Sequence, residues 1–160
     1  MKRTKKRMIL CIAIIAAILT FIWGNSLCTG TESGAMSGSI LQWINSFLRL
    51  GETGAEKLHF AIRKMAHFTE FACLGAALCW LFGMTGEKKW HLLCMPLLCG
   101  LLAACVDETI QVFTPDRGPS LIDVWIDTAG VTAGITFPLI GYNFIRKNNN
   151  TITWIRCMNH

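Results

Sequence analysis

Long apolar stretches, each closed by a short polar segment, organise this chain. Met8–Trp23 carries no charge. Phe68–Met84 is apolar except for Thr69 and Glu70. Trp90–Val106 has no charge apart from His91, and Leu121–Ile145 is interrupted only by Asp123, Asp127 and a few small polar residues. A helix needs roughly 20 residues to cross the hydrocarbon core. With short flanking turns, each run reaches that length. In lipid a helix satisfies its own backbone, so the pattern predicts an all-α membrane protein. The expected architecture is a bundle of about four transmembrane helices. It forms one domain over 1–160, with spans at about 8–24, 66–84, 90–112 and 120–145 and an outer linker at 25–65. Within that linker TGTESGAMSGS reads as loop. Ile40, Leu41, Ile44, Phe47 and Leu48 then recur at helical spacing, which predicts an extra interfacial helix between the first and second spans. Gly51 and Gly54 mark a break, and from Ala55 a helix is expected to run into span two.

Composition agrees with lipid as the solvent. Over 160 residues, 52% are hydrophobic and only 16% charged, against about 25% charged in soluble domains. Mean hydropathy is +0.44. The net charge of +5 could suggest nucleic acid, but its distribution gives a topological signal instead. Lys2, Arg3, Lys5, Lys6 and Arg7 precede the first run, Lys88 and Lys89 join the second to the third, and Arg146, Lys147 and Arg156 follow the fourth. By the positive-inside rule both termini are expected in the cytoplasm. The polar exit Trp23-Gly24-Asn25-Ser26 is a poor signal-peptidase site, so the first span is expected to be retained. The eight cysteines fall mostly in apolar runs and include no C-x-x-C, which argues against a disulfide framework or thiolate metal site. Asn149-Asn150-Thr151 forms a glycosylation-type triplet on the expected cytoplasmic side, where it has no use.

The remaining charges carry the functional signal. Arg63, Lys64, His67 and Glu70 open span two. Asp107, Glu108 and Gln111 close span three. Arg117 lies in the following loop, and Asp123 and Asp127 open span four. With an inside N-terminus these three clusters meet at the outer face. Lys64, His67 and Glu70 share one helical stripe, and Asp107 with Gln111 and Asp123 with Asp127 stand four apart. Gly130 and Gly134 continue the Asp123–Asp127 face and form a G-x-x-x-G pair that admits a close neighbour helix. Glu70 and Asp127 lie about a turn inside the apolar limit, where an ionisable group needs a partner or water. Arg63, Lys64, Arg117 and a protonated His67 are the available partners.

Simpler roles compete with each assignment. Ser120 and Asp123 have the spacing of a capping box. Arg63 or Lys64 can snorkel to the interface. Asp107 and Glu108 can form a solvated helix end, and Phe68, Phe71 and Phe113 can simply pack. His67, Glu70, Asp107, Glu108 and Asp123 are the candidates for acid–base chemistry or a polar network. Arg63, Lys64, Gln111, Arg117 and Asp127 are the candidates for binding an anionic head group. A divalent cation on Glu70, Asp107, Asp123 and Asp127 is chemically admissible, since hard cations take oxygen ligands. No dedicated metal spacing supports it, and no metal or cofactor is assigned.

RKMAHFTEFACLG, DETIQVFTPDRGPSLIDVWIDTAGVTAG and, more weakly, NSLCTGTESGAMSGS together resemble the VanZ-like family of small bacterial membrane proteins. Lys64, His67, Phe68, Glu70, Phe71, Leu74 and Gly75 match its first pattern. Asp107, Glu108, Gln111, Phe113, Pro115 and Arg117 match the second. Asp123, Asp127, Gly130 and Gly134 match the third, with Asp127 standing where some members carry Asn. Ser26 resembles a family serine. The matches cover residues 26–134. The resemblance implies a place in the bacterial cell envelope and a link to low-level teicoplanin resistance, but no settled reaction.

Three function classes remain open. The first binds or processes an anionic envelope lipid or lipid-linked precursor at the outer face. The second is a non-catalytic accessory protein whose ionic cluster is structural, or docks a partner in envelope synthesis. The third is a proton- or ion-coupled transporter, for which four spans are few. The lipid bilayer is the one partner common to all three, and nucleic acid is expected in none.

Overall fold

The computed structural model describes the backbone of residues 2–48, 51–85, 90–118 and 120–158, and the side chains of these except 2–4, 36, 37, 39, 40, 48 and 141–158. Lys2, Arg3, Lys88, Lys89, Arg146, Lys147, Arg156 and the Asn149–Thr151 triplet, which bear on orientation and modification, have side chains outside the described set. The described residues form five helices and no strand: α1 (Lys2–Leu27), α2 (Gly30–Leu48), α3 (Glu52–Gly83), α4 (His91–Val112) and α5 (Leu121–Met158).

Three of them, α1, α3 and α4, are long and apolar enough to cross a membrane. Lipid as solvent explains their surface. Ile9, Leu10, Ile12, Leu98 and Leu102 face outward, whereas Asp107, Glu108 and Asp127 are buried. The core is thin and built from small side chains. Ala77, Cys79, Ala103 and Ala104 pack with Cys11, Ile22, Phe71, Leu74, Val131 and Ile135. Phe71 is fully buried, as packing requires, but Phe113 is 83% exposed. It sits at the C-cap of α4, beyond the last helical turn, with no facing helix to cover it.

The closest packing joins α3 to α5. A Cβ on Gly130 would collide with the Phe68 carbonyl oxygen, and one on Gly134 with the Ala72 carbonyl oxygen. From the other side, a Cβ on Gly75 would strike the Val131 carbonyl oxygen. The two backbones therefore touch without side chains between them, as the G-x-x-x-G spacing predicts. This contact fixes the depth of Asp127 on α5 relative to His67 and Glu70 on α3.

One expectation fails at α2. The Gly- and Ser-rich stretch read as loop is helix from Gly30 onward. Thr29 and Glu32 explain it. The Thr29 backbone N–H donates to Glu32 Oε2 at 2.9 Å, and the Glu32 backbone N–H donates to Thr29 Oγ1 at 3.3 Å. This reciprocal capping box satisfies two orphan donors of the first turn. Gly30 is also required where it stands. Its N–H donates to the Pro115 carbonyl at 3.1 Å, and a Cβ there would overlap the Asp116 carbonyl oxygen. Asp116 itself adopts φ +58°, a left-handed conformation that aspartate tolerates better than most residues. The α4–α5 loop thus docks tightly on the α1–α2 junction.

Candidate functional site

The docked loop closes the end of α1. A helix C-terminus leaves its last carbonyls without intrahelical donors. Here they are satisfied from the far end of the chain. Arg117 Nη2 donates to the Asn25 carbonyl at 2.7 Å, and Arg117 Nε to the Cys28 carbonyl at 3.2 Å. Thr114 Oγ1 donates to the Ser26 carbonyl at 3.0 Å. A cation at this position also suits the negative end of the helix dipole. Arg117, one of the cations available to the buried carboxylates, instead has two of its three nitrogens engaged by carbonyls. Nη1 is buried and makes no hydrogen bond with a described residue. Burial first, and then the charge of Arg63, hold the Arg117 guanidinium below its usual pKa. Arg63 is half-buried, and neither arginine lies within ion-pair distance of a described carboxylate.

Beneath this cap the clusters of α3, α4 and α5 converge, as topology predicted. Asp107 is fully buried and fully engaged. Ser26 Oγ donates to its Oδ1 at 2.6 Å, and Gln111 Nε2 to its Oδ2 at 2.9 Å. His67 Nδ1 lies 3.8 Å from Asp107 Oδ2 and 3.8 Å from Asp127 Oδ1. Those separations exceed a hydrogen bond. Asp127 is fully buried, and neither of its oxygens accepts a hydrogen bond from a described residue. Asn25 Nδ2 donates to Glu70 Oε1 at 3.0 Å, and Glu70 Oε2 is buried without a donor. Glu70 thus takes an amide as its partner rather than one of the available cations.

Three further candidates, Lys64, Asp123 and Glu108, lie to one side. Lys64 Nζ forms an ion pair with Asp123 Oδ1, so Lys64 does more than snorkel. Glu108, far from being a solvated helix end, is buried. Its Oε2 accepts from the Ser120 backbone N–H at 2.8 Å. The Ser120–Asp123 capping box is therefore not formed. The donor that box requires is held by Glu108 of α4, while Asp123 turns to Lys64. Ser120 Oγ still caps α5 by accepting from the Ile122 N–H at 3.2 Å.

Ten sequence candidates thus occupy one end of the bundle, where α1 and α4 finish and α5 begins. His67, Asp107, Gln111 and Asp127 form its centre. Glu70 and Arg117 border it through Asn25, and Lys64, Asp123 and Glu108 tie α3, α4 and the start of α5 together. Sequence reasoning missed Asn25 and Thr114. Both touch groups many positions away, with |i−j| of 45 for Asn25–Glu70 and 88 for Thr114–Ser26, so no local spacing marks them. Ser26, ranked low from sequence, is fully buried at the centre.

Glu70 also reaches an apolar cleft of about 520 Å³ between α1 and α3, lined by Ile14, Ala17, Ile18, Phe21, Thr69 and Cys73. Its walls belong to α1 and α3, two of the helices long and apolar enough to cross a membrane.

Comparison with known proteins is narrow. No curated protein and no solved structure matches the chain. The family model described as VanZ/LLP1 matches residues 8–142, a stretch that includes most of α1, all of α2, α3 and α4, the first part of α5 and every residue of the buried site, and the chain belongs to the VanZ/LLP1 family.

Proposed function

We propose that this multi-pass membrane protein binds the anionic head of an envelope lipid or lipid-linked precursor, with the head beside Arg63 and Arg117 and the chain in the α1–α3 cleft. The observation that carries this reading is the pair of arginines. Arg117 keeps a buried Nη1 without a hydrogen-bond partner among the described residues, the positive charge of Arg63 acts on the same guanidinium, and neither arginine is ion-paired to a described carboxylate. Two like charges acting on each other at a membrane interface favour an anion that joins them; Arg63 offers a planar fork that matches phosphate or carboxylate oxygens, and Arg117 offers its remaining Nη1. The apolar cleft ending on Glu70 selects a lipid over a free anion.

The distribution of Lys and Arg supports an outward-facing site, with both termini in the cytoplasm. A bacterial envelope lipid is then the accessible ligand. A link to teicoplanin-type resistance follows from the family resemblance and expects that expressing the chain raises teicoplanin tolerance. An accessory role, in which the same network only rigidifies the bundle or docks an envelope enzyme, has its own support in the Lys64–Asp123 and Ser26–Asp107 links.

Lipid analysis of the purified protein separates the two. Lipid binding expects an anionic lipid enriched over the bulk membrane, and its loss in a folded Arg63→Gln variant. A wild-type lipid profile equal to that of the surrounding membrane rejects it and leaves the accessory role.

A further inference from the structure

The centre of the site holds an arrangement that the lipid reading does not use. His67 of α3, Asp107 of α4 and Asp127 of α5 each offer one ligand atom within 4.8 Å of the other two. The His67 Nδ1 separations of 3.8 Å to both carboxylates are too long for hydrogen bonds. They are short enough for one ion, since two metal bonds of about 2.1 Å reach up to ~4.2 Å.

Hydrogen bonding sharpens the point. Asp127 is fully buried, and both its oxygens and His67 Nδ1 lack a hydrogen-bond partner among the described residues. A buried carboxylate in that state needs a proton, a cation or a donor. Asp107 differs: Ser26 and Gln111 orient it from behind. Metal-ligating carboxylates are supported in this way by outer-shell hydrogen bonds. The four-carboxylate set considered from sequence does not assemble, because Glu70 is held by Asn25 and Asp123 by Lys64.

We propose that His67, Asp107 and Asp127 bind one divalent first-row metal ion, of the Mn²⁺ or Zn²⁺ class. The imidazole nitrogen disfavours Mg²⁺ and Ca²⁺, which take oxygen ligands, and the set lacks the thiolates that soft ions prefer. Nδ1 is the ligand atom, so the imidazole proton resides on Nε2. Three protein ligands leave coordination positions for water or for an oxygen of a bound molecule. The proposal stands on these atoms and does not require the lipid reading.

The test uses the full chain in detergent, stripped with chelator and titrated with Mn²⁺ under electron paramagnetic resonance. The expected result is saturable binding of about one ion per chain. The affinity falls at least tenfold in Asp127→Asn, which preserves side-chain volume, and is unchanged in Glu32→Gln, remote from the site. Nitrogen hyperfine coupling from one imidazole is expected in a background with His59, His91 and His160 replaced by glutamine, and is lost on adding His67→Asp. No saturable binding in the wild type overturns the proposal. So does wild-type affinity in an Asp127→Asn protein that remains folded by circular dichroism. If the variants unfold, the background protein alone decides, and absence of nitrogen coupling there rejects the site.

Discussion

Replacing Gly134 with alanine tests whether backbone contact between α3 and α5 holds the bundle together. The new methyl group would overlap the Ala72 carbonyl oxygen, with the Ala72 carbonyl carbon at 2.8 Å and the Ala76 nitrogen at 2.9 Å. All three are backbone atoms, so no rotamer change relieves the clash. Ordinary contact begins near 3.4 Å, so relieving the clash with the Ala72 carbonyl oxygen requires the helices to separate by more than about an ångström. Overpacking of a tight interior costs about 1–3 kcal/mol, and an immovable neighbour favours the upper end. Alanine recovers about 1 kcal/mol of helix propensity over glycine. The net loss is then about 2 kcal/mol, close to a thirtyfold shift in the folding equilibrium. Gly24 of α1 supplies the control, because a Cβ there meets nothing within 4 Å. Gly24→Ala is expected to be neutral or stabilising by up to about 1 kcal/mol. Denaturant or thermal unfolding of the purified protein in one detergent reads both. Equal stability of Gly134→Ala and wild type would refute the close-contact argument, and a matching loss in Gly24→Ala would assign the effect to glycine replacement in general.

Other outcomes follow from the polar network. Ser26→Ala removes a donor to the fully buried Asp107 and is expected to destabilise by about 1–3 kcal/mol, read by the same unfolding assay. Lys64→Met leaves Asp123 without its ion-pair partner. Adding Asp123→Asn should restore part of the loss, and a double-mutant cycle should give a coupling of about 0.5–3 kcal/mol; additive losses would show the pair to be energetically idle. The Thr29 backbone and hydroxyl hydrogen bonds hold the Glu32 pKa below its ordinary value. The cap on α2 is therefore fully present above the ordinary glutamate value and weakens as pH falls through the lowered one. Amide exchange at the start of α2 should quicken on acidification, and Glu32→Gln should remove that pH dependence. In a background lacking the other cysteines, Cys28 should react with an impermeant thiol reagent in intact cells and Cys157 only after permeabilisation; the reverse pattern would invert the topology.

Three of the four expected spans were legible because burial in lipid needs long uncharged runs, and α1, α3 and α4 meet that test. The convergence at one end was legible because helix order alone brings residues 63–70, 107–111 and 117–127 together. The pairing within that end was not. Arg117 reaches carbonyls of α1 and Glu70 an amide, partners separated by up to 92 positions. Charge complementarity favoured carboxylate–arginine pairs, but the unfilled carbonyls at the end of α1 compete for the same guanidinium. At α2 the error was local. Three glycines and three serines outweighed Thr29 and Glu32 in the sequence reading, whereas the capping box between them decides where the helix starts.

The capping of α1 by Arg117 and Thr114 has a consequence for biogenesis. The first helix enters the bilayer early in synthesis, yet the groups that finish its end are made only after α4. Until then the Ser26 and Cys28 carbonyls depend on water or lipid head groups, while the Asn25 carbonyl keeps only the Cys28 N–H. A nascent chain halted before residue 114 should therefore hold this segment in the membrane without native closure, and quality-control proteases would meet an unfinished first helix rather than a missing one.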